Sequence, residues 1–242
     1  MAAGCHVGDP GPVGSGRVLG VDACKRGWIA IAVEDGVTGA YFAEDIQTLT
    51  NRAQADGPLD VVAVDMPIGL PDRGQRQADV LARAAIGPLR SSVFMTPVRE
   101  ALMAADHAAA SAINRELTGQ GISIQAFGLK PKLFQVERWV RRTPLCVVEI
   151  HPEVCFARLS GSPLTFRKSS WAGAEYRRAL LAGAGIEFAA DLGNAGACAA
   201  VDDVLDAGAA AWAARQVLLG RAQPIPNPPE TFSDGWACAI WA

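Results

Sequence analysis

The sequence lacks the features that place a protein in a membrane or outside the cell. Its apolar runs, such as residues 29–33 and 207–214, fall far short of the roughly 20 residues that a membrane-spanning helix needs. No basic stretch followed by an apolar one opens the chain, so no secretion leader is expected. We therefore expect a cytoplasmic protein that makes no contact with a membrane.

The sequence also lacks a recognisable zinc motif. Its six cysteines include no CxxC pair, and none of its three histidines lies near a cysteine at metal-ligand spacing. A zinc site is not expected. Since no leader is present, the cysteines are expected to be reduced and to serve mostly as small buried residues.

Charge is scarce and unevenly distributed. Only 19% of the 242 residues are charged and half are apolar, which excludes global disorder. The net charge of −3 argues against a protein that coats nucleic acid non-specifically. Residues 71–180, however, hold 16 Lys and Arg against 9 Asp and Glu. This pattern indicates an acidic framework with a basic insert that could bind a polyanion, although solvated helix faces would look the same.

The first part of the chain predicts a sheet. Residues 1–16 are rich in Gly and Pro and are expected to form a disordered tail, followed by one domain over residues 17–242. Apolar segments with short turns between them predict an antiparallel meander, a helix and then a buried strand. The three meander strands, the helix and the fourth strand are predicted at 17–22, 27–34, 39–45, 46–55 and 60–65.

The rest of the chain predicts helices around one further strand. A helical insert is expected at about residues 71–143, and the fifth strand at 145–150. The predicted helices are 73–86, 98–117 and 130–142 within the insert, and 151–159, 172–184 and 202–219 after it; residues 235–241 could add an edge strand. The expected fold is α/β, with a mixed five-stranded sheet flanked by helices and an insert between strands 4 and 5. Ribonuclease H-like and actin-like folds both have this order.

Carboxylates at the ends of apolar strands are the strongest chemical signal. Asp22 closes the first strand, Asp65 closes the fourth, and Glu149 lies near the end of the fifth. Ionised carboxylates are costly to bury unless they are paired or bound to a metal. If these strands are neighbours, the side chains approach one another, and such an all-oxygen set suits Mg²⁺ or Mn²⁺.

A second group of carboxylates opens the last long helix. Asp206 shares a helix face with both Asp202 and Asp203, and it lies beyond the cap, which favours a metal role for it. One of Asp202 and Asp203 is expected to cap the helix, and which of them is a ligand stays open. Asp22 and Asp65 could also cap turns, and Glu149 could pair with an arginine of the insert.

Five sequence blocks occur in an order that resembles the domain-of-unknown-function family described as predicted ribonuclease H-like nucleases. The blocks are GVDACKRGW at 20–28, VDMPIGLP at 64–71, RSSVF at 90–94, VEIHPE at 148–153 and DDVLDA at 202–207. The resemblance implies a ribonuclease H-like fold and a metal site of Asp22, Asp65, Asp203 and Asp206, with Glu149 as a further candidate. It also implies hydrolysis of nucleic-acid phosphodiesters, for which two Mg²⁺ or Mn²⁺ ions would supply the chemistry.

Basic and hydroxyl residues are candidates for binding the substrate. Arg90, Ser91 and Ser92 could donate hydrogen bonds to a phosphate, and Lys130, Lys132 and Lys168 could add charge to a groove. His151 could protonate a leaving group or hold the strand-to-helix turn.

Two other functions stay open on the sequence alone. The first is a nucleic-acid or small-molecule binding protein that keeps the fold without turnover. The second is an actin-like phosphotransferase, which is less favoured because no Ser or Thr follows Asp22 in the turn where such enzymes hold phosphate.

Overall fold

A computed structural model describes residues 16–242, so the predicted tail at 1–16 lies outside the described residues except for Gly16. The strands are β1 (Val18–Cys24), β2 (Gly27–Glu34), β3 (Val37–Ala43), β4 (Val61–Val64), β5 (Cys146–Glu149), β6 (Pro224–Thr231) and β7 (Ala237–Trp241). The helices outside the β4–β5 connection are α1 (Ile46–Ala55), α7 (Pro152–Ser160), α8 (Trp171–Gly183), α9 (Gly193–Cys198) and α10 (Val201–Leu218).

One mixed sheet holds the fold together, in the order β3-β2-β1-β4-β5-β7-β6. The meander is antiparallel, and β1, β4, β5 and β7 run parallel to one another. The expected count of five strands is wrong, because the described chain forms seven. β7 pairs with β5, and β6 pairs with β7 at the edge of the sheet. The sequence of β6, PIPNPPET, conceals a strand because proline cannot donate to a ladder and is tolerated only at an edge.

The connection between β4 and β5 is helical. It contains α2 (Gln77–Ala85), a 3-10 helix at Gly87–Ser92, α3 (Arg99–Met103), α4 (His107–Thr118), α5 (Ile124–Gly128) and α6 (Lys130–Val140). The single helix expected at 98–117 is therefore two. The break lies at Asp106, which is the N-cap of α4. Its backbone is extended and its side chain accepts a hydrogen bond from the amide of Ala109, so a new helix starts there.

The close approach of α10 to β1 positions the residues discussed below. Gly20 lies where any Cβ would overlap the backbone of Ala207 and Ala211 in α10. The glycine therefore lets the helix lie directly on the strand. This side of the sheet, with α10, forms one core layer, and α1 and α6 pack against the other side.

The cysteines follow the sequence expectation with one exception. Cys24, Cys155, Cys198 and Cys238 have free thiols. Cys146 is disulfide-bonded, so the expectation that all cysteines are reduced is wrong at this position. Spacing in the sequence cannot reveal such a bond, because the fold decides which thiols meet.

Across residues 16–242, the helices are too short or too polar to span a membrane.

Candidate carboxylate site

Two strands bring Asp22 and Asp65 together. β1 and β4 are parallel with Val21 opposite Val64, and the amide of Asp65 continues the ladder by donating to the carbonyl of Val21 at 2.9 Å. Alternation along each strand then directs Asp22 and Asp65 to the same face of the sheet, the face that α10 covers. The predicted meeting of these two side chains at the ends of their strands is therefore found.

α10 adds the third carboxylate. Asp206 lies one turn into the helix and is only 2% exposed. Its Oδ2 accepts a hydrogen bond, but its buried Oδ1 has no partner among the described residues. A buried carboxylate oxygen without a donor loses its hydration without replacement, so this atom is suited to a ligand.

The three carboxyl groups disfavour one another's ionisation. Burial, followed by the charges of Asp65 and Asp206, raises the pKa of Asp22 well above its usual value. Burial and Asp206 raise the pKa of Asp65 to about 8, and burial raises that of Asp206 to about 6 despite the opposing charge of Lys168. The site therefore holds protons near neutral pH and would release them on binding a cation.

Lys168 supplies the positive charge within the site. Its Nζ lies 2.6 Å from Asp206 Oδ2 and 3.4 Å from Asp202 Oδ2. Burial opposes the charged form, but Asp206 and Asp22 outweigh it and raise the pKa of Lys168. The lysine therefore stays charged and neutralises part of the cluster.

A buried ion pair fixes the loop that carries Lys168. Arg177 on α8 is fully buried and bonds both oxygens of Glu153 at 2.6 and 2.7 Å. Its other terminal nitrogen donates to the carbonyl of Phe166 at 3.0 Å, two residues before the lysine. This chain of contacts orients the loop toward Asp206. It could not be predicted, because Arg177 and Glu153 look like ordinary helix-surface charges in the sequence.

The two aspartates at the start of α10 have different contacts. Asp203 accepts from the amide of Ala200 at 3.1 Å, which is the capping role expected for one of the pair. Burial raises the pKa of Asp203, although the bond from Ala200 opposes this. Asp202 faces Lys168 instead.

Glu149 lies beside this cluster but faces the other way. In the β4–β5 register it lies opposite Val64 rather than Asp65, and a shift of one residue reverses the face of a strand. Arg76, which is fully buried, donates to both Glu149 oxygens at 2.6 and 2.8 Å, and the amide of Ile68 donates to one of them at 2.7 Å. The open alternative of an arginine partner from the insert is the arrangement found. Burial raises the pKa of Glu149 to about 7, which Arg76 opposes.

The fit of a divalent metal can be judged from these donors. Within residues 16–242, no three His, Cys, Asp or Glu side chains are already arranged as a group able to hold a metal ion. The donor chemistry nevertheless suits Mg²⁺ or Mn²⁺, because Asp22, Asp65 and Asp206 offer only oxygen atoms. Oδ1 of Asp206 has no hydrogen-bond partner among the described residues, so this oxygen is free to accept a ligand.

Apart from Lys168, which lies within the carboxylate site, the predicted substrate-binding residues divide into three groups. Lys132 lies half-buried near Asp22 and Asp203, bonds the carbonyl of Gly27 and sits over the ring of Trp28. Lys130 donates to the carbonyl of Ala104 at 2.8 Å, which gives it a structural contact within the insert. The remaining three, Arg90, Ser91 and Ser92, lie exposed on the 3-10 helix Gly87–Ser92.

His151 links the 3-10 helix to the carboxylates. Burial lowers the pKa of His151 to about 4, and the charge of Lys168 lowers it further. A hydrogen bond to the backbone of Ser92 acts in the opposite direction and raises the pKa. Its buried Nδ1 has no partner among the described residues. The ring is therefore neutral at pH 7 and connects the strand-to-helix turn with the 3-10 helix.

Comparison with known proteins gives one match. A family model described as "Protein of unknown function (DUF429)" matches residues 20–231, which is most of the chain. No curated protein and no solved structure matches.

Proposed function

The chain belongs to this family, Protein of unknown function (DUF429), and we propose, from its carboxylate site, that it is a divalent-metal-dependent nuclease, which hydrolyses phosphodiester bonds of a nucleic acid. The observation that carries the proposal is the meeting of Asp22, Asp65 and Asp206, of which Asp22 and Asp206 are buried, with one oxygen of Asp206 lacking a partner among the described residues. The strand order β3-β2-β1-β4-β5 supports a ribonuclease H-like arrangement of the first five strands.

The residues of the chain have separable roles in this proposal. Asp22, Asp65 and Asp206 hold Mg²⁺ or Mn²⁺, and Asp203 lies at the rim. The chemistry that a metal held there would supply is the activation of a water molecule and the stabilisation of the leaving oxygen. Glu149 is outside the ligand set because Arg76 and the amide of Ile68 occupy its oxygens.

Lys168 and His151 act on the substrate side. The ammonium of Lys168 lies beside Asp206, where it could pair with a non-bridging phosphate oxygen of the substrate. His151 is neutral and hydrogen-bonded to the backbone of Ser92, so it holds the 3-10 helix next to the site.

One observation favours a second candidate function, a nucleic-acid binding protein without turnover. Lys168 already neutralises Asp206 at 2.6 Å, as a structural counter-ion would in a site that never takes up a metal. This candidate requires that Mn²⁺ binds weakly and that no phosphodiester is cut.

A Mn²⁺ titration with parallel cleavage assays tests the proposal. Calorimetry and cleavage of single-stranded RNA, an RNA/DNA hybrid and branched DNA are compared for the parent, Asp22→Asn and Asp206→Asn. Asp35→Asn is the matched control, because Asp35 is exposed in the β2–β3 turn, at the end of the sheet opposite Asp22. The control should behave as the parent does.

Loss of both Mn²⁺ binding and cleavage in the two site variants alone would support the nuclease. Cleavage that persists in both variants, or that needs no metal, would overturn it. Nucleic-acid binding without metal binding or cleavage would establish the second candidate instead.

A further inference from the structure

A cleft in the helical insert has no part in the site described so far. It has a volume of about 570 Å³, within the range of small-ligand pockets, and all of its lining residues belong to the insert. Polar side chains of Gln75, Arg83, Arg90 and Gln120 line it, with Met95 beside them. None of the described lining residues is acidic.

The two arginines of this cleft are free to bind a ligand. Arg83 lies in the last turn of α2 and Arg90 in the last turn of the 3-10 helix. Among the other arginines of the insert, Arg76 pairs with Glu149, and Arg99 and Arg141 pair with Glu137. Within residues 16–242, neither Arg83 nor Arg90 has a hydrogen-bonding or ion-pair partner. Two unpaired guanidinium groups in a cleft without acids favour an anion, and their fork geometry suits phosphate.

The 3-10 helix Gly87–Ser92 connects the cleft with residues next to the carboxylate site. Arg90 lines the cleft, and Ser92, two residues later, bonds the ring of His151 through its backbone. His151 lies near Lys168, which contacts Asp206. The 3-10 helix therefore carries a residue of the cleft and also contacts a residue beside the carboxylates.

We propose that the Arg83–Arg90 cleft is a phosphate-binding subsite that holds a flanking backbone phosphate of a single nucleic-acid strand. The identity of the ligand as a strand rests on the proposed nuclease function. Binding through backbone phosphates positions a substrate without reading its bases, so the subsite favours no particular sequence. The open, polar character of the cleft agrees with such contacts, since no aromatic side chain lines it for stacking.

Fluorescence anisotropy with a labelled single-stranded DNA oligonucleotide in EDTA tests the subsite without any catalysis. The variants are Arg83→Gln, Arg90→Gln and the double variant, each checked by thermal unfolding. The control is Arg221→Gln, which removes the same charge from an exposed arginine beyond the far end of α10, about 18 Å or more from Asp206 by the rise of the helix between Asp206 and Leu218.

We expect the double variant to bind about tenfold more weakly at 0.1 M salt, with Arg221→Gln unchanged. The slope of log K against log salt concentration should fall by about 0.7, since the subsite holds one phosphate and each lost phosphate contact on a single strand contributes about 0.7. Competition by a nucleoside monophosphate should require far higher concentrations than competition by the strand.

Three results would overturn the subsite: no binding by the parent, equal weakening in Arg221→Gln, or equal competition by the mononucleotide, which would assign the cleft to a small molecule. Failure of the nuclease proposal gives a different result. In that case the arginine variants would still lose strand affinity in EDTA, but no variant and no parent protein would cleave with Mn²⁺.

Discussion

Replacing Asp65 by Asn should stabilise the protein in the absence of metal, although it removes a proposed ligand. Burial and the charge of Asp206 raise the pKa of Asp65 from the ordinary 3.8 to about 8. A carboxyl group with a raised folded-state pKa contributes stability that is complete below its unfolded pKa and is lost as the pH rises through its folded pKa. Asn does not titrate, so its advantage over Asp65 should grow between about pH 4 and pH 8.

The size of this effect follows from the shift. One pKa unit corresponds to about 1.4 kcal/mol, so a shift of about 4 units sets an upper limit of about 6 kcal/mol. Removing Asp65 also relieves Asp22, and side-chain relaxation in the parent offsets part of the penalty. We expect Asp65→Asn to gain about 1–3 kcal/mol over the parent at pH 8, the ordinary size of a single-residue effect.

Urea unfolding in EDTA at pH 5 and pH 8 measures this gain, with Asp35→Asn as the control for the loss of one negative charge. The gain should be small at pH 5 and clear at pH 8. In excess Mn²⁺ the order should reverse, because an ion present at 1,000 times its Kd stabilises the parent by about 4.1 kcal/mol. If Asp65→Asn is no more stable than the parent at pH 8 in EDTA, then ionised Asp65 does not destabilise the folded protein, and repulsion among the carboxylates is not significant.

Three further changes have defined outcomes. Gly20→Val should destabilise the fold by about 3 kcal/mol or more, because the valine side chain would overlap the backbone of α10. Chemical denaturation should show this loss at an unchanged m-value. A variant as stable as the wild type would contradict the close approach of α10 to β1. Arg76→Met should lower the free energy of unfolding by about 3–5 kcal/mol, because it leaves Glu149 buried without its ion-pair partner. In the same denaturation assay, the double variant with Glu149→Gln should recover part of this loss. Lys168→Gln should tighten Mn²⁺ binding at least about tenfold in calorimetry, because the ammonium no longer competes for Asp206; an unchanged affinity would mean that the lysine and the ion do not share the carboxylate.

The part of the fold that follows from local pattern was predictable. Apolar runs and short turns located β1 to β5, and the strand-end positions of Asp22 and Asp65 predicted their meeting. β6 was not predictable, because its four prolines argue against a strand and only the pairing with β7 gives it an edge position. The break between α3 and α4 was missed because alanines continue the apolar pattern across it.

For the site, the sequence located the carboxylates but not their partners. Glu149 looked equivalent to Asp22 and Asp65, since strand ends are visible in a sequence while the register that decides its face is not. The ion pair between Arg177 and Glu153 and the open cleft at Arg83 depend on contacts between helices that no spacing reveals. A seven-residue interval separates Arg83 from Arg90, but the turn at Ile86 lies between them, so helical periodicity could not relate the two.

The position of β7 has a consequence for biosynthesis. β5 is paired on one side by β4, but its other edge is covered by β7, which the ribosome makes only after α7 to α10 and β6. Until residues 237–241 emerge, a nascent chain with β1 to β5 in place carries an open, apolar strand edge, the kind of edge on which chains pair with one another. Molecules cut short before β7 should therefore be the aggregating fraction during expression, whatever the condition of the carboxylate site.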